Sequence, residues 1–265
     1  MLRKLYNSLT FKTLSPSKFR SSLAFWRTKP LKSSTSQILD FSKAIVGTAI
    51  YLSTNTRVDI CFAVQWLARQ FQGPYKEHLK ASRNLLRYLN TFKNLSILYS
   101  KKGNLVPIGY CDSDFAGDKA TAKSTYSYVF MLANGPISWK SKRGSTIALS
   151  TLEAEYIAIT EATREIQWLR GLFTEIQRPI SQPTTLYNDN QGAISTASDP
   201  KHHSPTKHTL LRFSYVREEA KKGTMRVEFL ETAKMVADGL TKPLPGPKFL
   251  NFLGQLNLQL VSSKI

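Results

Sequence analysis

The spacing of apolar residues changes along the chain and divides it into a helical part and a strand-rich part. Ile45, Val46, Ala49, Ile50 and Leu52 make an apolar first segment. Ile60, Val64, Leu67 and Phe71, and then Leu79, Ser82, Leu86 and Leu89, recur every three or four residues, the period of a helix with one buried face. Gly73 and Pro74 separate the last two helices. From about residue 104 the pattern turns to strands over "NLVPIGYCD", "TYSYVFMLA" and "PISWKSK", with Asn134-Gly135 as a turn signal. A long helix is predicted from about Ser150 to Glu175, followed by a strand over "TTLYN" and a helix beginning near Asn190. A further helix from about His208 to Lys222 stops at Gly223, and a strand over "MRVEFL" leads to a short helix carrying Asp238. Three strands, helix, strand, helices, strand and helix describe a mixed sheet covered by helices, an α/β fold.

Composition narrows the function. A chain of 265 residues that is 42% hydrophobic can fill a sizeable core. Its 37 Lys and Arg against 18 Asp and Glu give a net charge of +19, which favours nucleic acid, because basic side chains release counterions from phosphates. An anionic membrane surface would also attract it, but no run approaches the roughly 20 apolar residues that span a bilayer, so no membrane is expected as partner. Cys61 and Cys111 are isolated, which offers neither a disulfide framework nor a zinc spacing and points to a reducing compartment. Residues 1–39 contain Arg3, Lys4, Lys12, Lys18 and four further basic residues but no acid. That composition suits a disordered tail attracted to nucleic acid, or a mitochondrial presequence. The expected location is cytoplasm or nucleus, with the mitochondrion as the alternative.

Acidic residues in so basic a chain draw attention to "GYCDSDFAGD", "STLEAEYIAI", "LYNDNQGAI" and "MVADGLTKPL". On the long helix, Ile159, Ala162, Ile166, Leu169 and Phe173 mark the buried stripe, and one turn back that stripe reaches Glu155. A carboxylate there is costly unless it meets a cation or hydrogen-bond donors. Glu153 is explained instead as a first-turn acid favoured by the helix dipole, with Ser150 or Thr151 as cap. Asp112 and Asp114 share one strand face, so alternation does not choose between them. Asp189 lies where a strand gives way to a helix, as an N-cap or as a site residue at the sheet edge. Asp238 alone reads as an ordinary helical acid. Such a set suits hard divalent ions, and a pair of them can drive phosphodiester cleavage while Lys119, Lys123, Lys140, Lys142 and Arg143 hold the backbone.

The motifs together resemble the carboxy-terminal part of copia-type retrotransposon Pol polyproteins, the end of a reverse transcriptase followed by a type 1 ribonuclease H domain. The stretch from "IVGTAIYLSTNTRVDICFAVQWLARQ" to "NLSILY" resembles the segment after the polymerase palm. "YCDSDFAGD", "ISWKSKRGSTIALSTLEAEYIAIT", "LYNDNQGAI", "TKHTLLRFSYVRE" and "VADGLTKPL" resemble the ribonuclease H portion. The resemblance implies a ribonuclease H-like mixed five-stranded sheet flanked by helices, preceded by a small helical, thumb-like connection. Its implied boundaries are 1–40 for a basic, disordered extension, 41–103 for the connection, 104–250 for the nuclease domain and 251–265 for a tail. It implies catalytic, metal-binding carboxylates at Asp112, Glu155, Asp189 and Asp238 and two Mg²⁺ or Mn²⁺ ions. It also implies nucleic-acid contacts at Lys140, Lys142, Arg143, Asn190, Gln191, Lys207 and His208, and hydrolysis of the RNA strand of RNA–DNA hybrids. With no Tyr-x-Asp-Asp motif, polymerisation is not expected, and a separate reverse transcriptase subunit is a candidate partner. Ser127 stands where relatives commonly have Gly, Phe115 where Trp is usual, and Pro205 interrupts the basic stretch before Thr206. His202 and His203 tempt a metal reading without zinc spacing, and His208 suits a structural or substrate contact. The alternatives are a catalytically silent nucleic-acid-binding relic and, last, an integrase-like strand-transfer enzyme.

Overall fold

Three helices begin the computed structural model, which describes residues 36–70, 76–101, 103–198 and 207–261. The basic stretch 1–35, Phe71, Gly73, Pro74, His202, His203, Pro205 and Thr206 lie outside the described residues. Helices α1 (Ser36–Asn55), α2 (Cys61–Ala68) and α3 (Lys76–Thr91) pack around Val46, Val64, Leu67, Ala81, Leu85 and Tyr88. On α3 the expected Leu79 and Ser82 are buried together with Ala81, Leu85 and Tyr88, while Leu86 and Leu89 are only half-buried. Tyr88, which the apolar period does not include, is buried with a polar partner. The Tyr88 hydroxyl donates to Asp59 Oδ2 at 2.7 Å, and the Arg57 guanidinium grips the same carboxylate through Nε at 2.9 Å and Nη2 at 2.8 Å.

The strands follow: β1 (Leu95–Ile97), β2 (Ile108–Asp118), β3 (Lys123–Leu132) and β4 (Gly135–Arg143). Helix α4 (Thr151–Glu175), strand β5 (Thr184–Asn188), helices α5 (Gln191–Ser198) and α6 (Lys207–Lys221) and strand β6 (Met225–Phe229) come next. A 3₁₀ turn at Val236–Leu240, helix α7 (Gly246–Gln255) and strand β7 (Leu258–Leu260) complete the fold. The main sheet has the order β4-β3-β2-β5-β6, antiparallel from β4 to β2 and parallel from β2 to β6. This is a five-stranded mixed sheet in an α/β fold, as the sequence pattern predicts.

Local chemistry accounts for the element ends. Ser150 Oγ accepts from the Glu153 N–H at 3.1 Å and caps α4, while the Glu153 carboxylate accepts from the Leu149 N–H at 2.8 Å. The β3–β4 turn sits on Ala133 and Asn134, both with positive φ, the twist a two-residue hairpin needs. Gly135 is already in β4, where a side chain would lie 2.7 Å from the Tyr99 ring.

Two buried layers sandwich the sheet. On one face Cys111, Tyr128, Phe130 and Leu186 meet Ile159, Ala162 and Ile166 of α4 and Val216 of α6. On the other, Val129 packs with Val58 and Cys61 from the helical segment and with Leu240, Phe252 and Leu256 from the C-terminal part. Trp139 Nε1 also donates to the Ser53 carbonyl at 2.6 Å, tying β4 to α1. The position 250/251, expected to begin a tail, falls inside α7. Beyond it Phe252, Leu256 and Leu258 are buried, and β7 pairs antiparallel with β1, Leu95 opposite Leu260. Strands of three residues are too short to show a period, so their pairing is invisible in the sequence. Among the described residues no helix is long and apolar enough to cross a membrane.

Candidate active site

β2 and β5 run parallel and pair only at Gly109–Leu186 and Tyr110–Tyr187. Past that point they diverge, and a gap opens at their carboxyl ends, where crevices form in open α/β sheets. Asp112 lies two residues beyond the last pair on β2, and Asp189 two beyond it after β5. Glu155 enters the gap from the first turns of α4. Carboxylate oxygens of Asp112, Glu155 and Asp189 all lie within 4.8 Å of one another. Asp112 and Glu155 are buried and Asp189 is half-exposed, so the cup opens on the Asp189 side. Asp114 is outside this group. It sits at the bulge between Asp114 and Asp118, with Oδ2 folded over Gly117.

Each acid is held by a neighbour. Asn188 Nδ2 donates to Glu155 Oε2 at 2.9 Å and to the Cys111 carbonyl at 3.1 Å, and Ser113 Oγ donates to Glu155 Oε1 at 2.8 Å. Thr241 Oγ1 donates to Asp112 Oδ2 at 2.8 Å, and Thr232 Oγ1 to Asp189 Oδ2 at 2.7 Å. Burial pushes Asp112 up to about 7, with repulsion from Asp238 and Asp189 adding to it and the Thr241 bond opposing it. Burial likewise pushes Glu155 up to about 8, with repulsion from Asp112, against the bonds from Asn188 and Ser113. An all-oxygen set of converging acids, two of them buried at such cost, fits hard divalent cations.

The structure places Asp238 beside this group but not within it. Its Oδ1 is ion-paired with the Lys242 ammonium, one turn along the chain. Ser127 locks that turn to the sheet, because its hydroxyl, fully buried opposite Asp112, donates to the Ala237 carbonyl at 2.8 Å. A glycine at 127 could not make this bond.

The residues expected to touch nucleic acid differ in their freedom. Lys140 is engaged with Glu161 at 3.3 Å and lies over the Tyr128 ring. Arg143 is ion-paired with Asp118. Lys142 and Gln191 are exposed. Asn190 Oδ1 accepts from the Ala193 N–H at 3.0 Å, so Asn190, rather than Asp189, caps α5 and leaves the Asp189 carboxylate to the cup. Lys207 and His208 begin α6, and their side chains lie outside the described part. Asn188, Ser113, Thr241 and Lys242 were missed by sequence reasoning. All four lie within the quoted motifs, but only Lys242 is close in sequence to the acid it holds; Asn188 and Ser113 reach Glu155, and Thr241 reaches Asp112, from distant segments.

No family model matches the chain. It is 37% identical over 217 residues to the retrovirus-related Pol polyprotein from transposon RE1 of Arabidopsis thaliana, across 82% of this chain and 15% of the polyprotein. The chain is a homologue of the Pol polyproteins of copia-type transposons. This Pol homologue is also 40% identical over 124 residues to a protein named secreted RxLR effector protein 161 of Plasmopara viticola, across 47% of this chain and 87% of that protein. Among solved structures it is similar to LC11-RNase H1, isolated from compost by a metagenomic approach, with 13% identity, a TM-score of 0.41, and coverage of 52% of this chain and 93% of that one.

Proposed function

We propose that this Pol homologue is a ribonuclease H-type endonuclease that hydrolyses the RNA strand of RNA–DNA hybrids with two divalent ions, Mg²⁺ or Mn²⁺. Asp112, Glu155, Asp189 and Asp238 would hold the ions. The observation that supports this most is the convergence of three carboxylates from β2, α4 and the end of β5 at parallel strand ends, in a chain of net charge +19. When bound, the ions activate a water and stabilise the leaving oxygen of an in-line phosphodiester displacement.

The chain's own groups do the rest. Asn188 and Ser113 hold both oxygens of Glu155, and Thr241 fixes one oxygen of Asp112, so the buried acids present a fixed set of ligand atoms. The half-exposed Asp189 marks the open side, where a phosphodiester can approach. Basic residues such as the exposed Lys142 draw the backbone in, and selection of RNA over DNA falls to contacts with the 2′-hydroxyl.

The test is strand-specific cleavage of a hybrid labelled on either strand, with purified full chain and Mg²⁺. Cleavage confined to the RNA strand is expected, and Asp112→Asn and Glu155→Gln should reduce it to background. Cleavage that survives these changes would place the chemistry elsewhere. Salt-sensitive hybrid binding without any cleavage would instead identify a silent nucleic-acid-binding protein.

A further inference from the structure

The four acids are not equivalent. Three share one cup, while the fourth, Asp238, has its Oδ1 against the Lys242 ammonium. The Lys242 side chain keeps 43% of its surface exposed and that of Asp238 only 14%, so the lysine reaches in from solvent over a nearly covered carboxylate. The charge of Lys242 also acts on Asp112 and Asp114, and Asp112 and Asp238 repel each other. The Lys242 ammonium therefore sits where the negative charges of Asp112 and Asp238 both act on it. Thr241 belongs to the same turn and ties Asp112 Oδ2 to it at 2.8 Å, so the residue preceding the lysine fixes the partner acid.

We propose that the Lys242 ammonium is a built-in substitute for the second cation: it holds Asp238 against Asp112 until a divalent ion displaces it. This rests on the cation-binding reading of the carboxylates. The Asp112, Glu155 and Asp189 position fills first, because among the described residues no side-chain cation is ion-paired with these three acids. The Asp238 position fills second and more weakly, because the incoming ion must expel the ammonium, whose flexible stem lets it swing to solvent. Lys242 is thus a positioning residue that sets the order and spacing of two binding events.

Titration calorimetry of the full chain with MnCl₂, without nucleic acid, tests this. The wild type should show a tighter and a weaker event. Lys242→Met should strengthen the weaker event by about tenfold and leave the tighter one within about twofold. Lys242→Arg, which keeps the charge, should stay weak. Lys242→Gln repeats the neutral test with a hydrogen-bonding side chain, and melts with and without MnCl₂ check folding and report the same affinities independently. Equal weaker-event affinities in the wild type and both neutral variants, or a gain confined to the tighter event, would overturn the role of Lys242. The two readings fail separately. A chain that shows the expected manganese pattern but leaves hybrid intact loses only the nuclease reading, and one that cleaves hybrid with identical isotherms loses only the lysine's role.

Discussion

Burial and mutual repulsion set the protonation of the carboxylates at the strand ends. Asp112 and Glu155 are raised to about 7 and about 8 from ordinary carboxylate values. Without a cation, the folded protein therefore keeps protons that the unfolded chain has released. The stability these protons supply is complete below the unfolded values, near pH 4, and is lost as pH rises through about 7 to 8. Metal-free wild type should melt lower at pH 8.5 than at pH 5, and Asp112→Asn should show a smaller drop. Parallel melting curves for the two proteins would contradict this origin of the shift. Glu155 was legible in the sequence because a helix period carries a buried stripe onto it. Strand alternation alone does not separate Asp112 from Asp114, which share a parity; the family resemblance chooses Asp112, and in the fold Asp114 sits at a bulge outside the acidic group. Asn188 and Thr241 were illegible for a different reason: each acts on an acid 33 and 129 residues away, respectively, and only folding brings them together.

Among the elements, the helical segment depends on one buried polar knot. Arg57 and Asp59 have side chains 8% and 0% exposed, and Tyr88 closes the network from α3. Breaking such a pair strands a buried charge, so Asp59→Ala should lower unfolding stability by about 3–5 kcal/mol. Denaturant unfolding measures it, and a loss below about 1 kcal/mol would show that the knot is solvated or replaceable. The predicted elements from α4 to β6 match the observed ones within a residue or two, because caps, stop signals and long periods are local. What the sequence did not disclose is non-local. The register of β1 on β7 and the burial of Tyr88 against Asp59 follow from contacts between distant segments.

At the scale of the whole molecule, helices from residues 36–91 and the C-terminal part cover one face of the sheet, while α4 and α6 cover the other. The acids gather where β2 and β5 part. A strongly basic chain thereby carries a local negative cup, the combination on which the proposed pairing of a polyanion with a divalent cation rests. Anomalous diffraction from crystals grown with MnCl₂ tests this most directly. A manganese peak bound by Asp112, Glu155 and Asp189 is expected, with a second at Asp238 once Lys242 has moved away. Manganese bound at other residues at saturating concentration, with the three carboxylates bare, would contradict it.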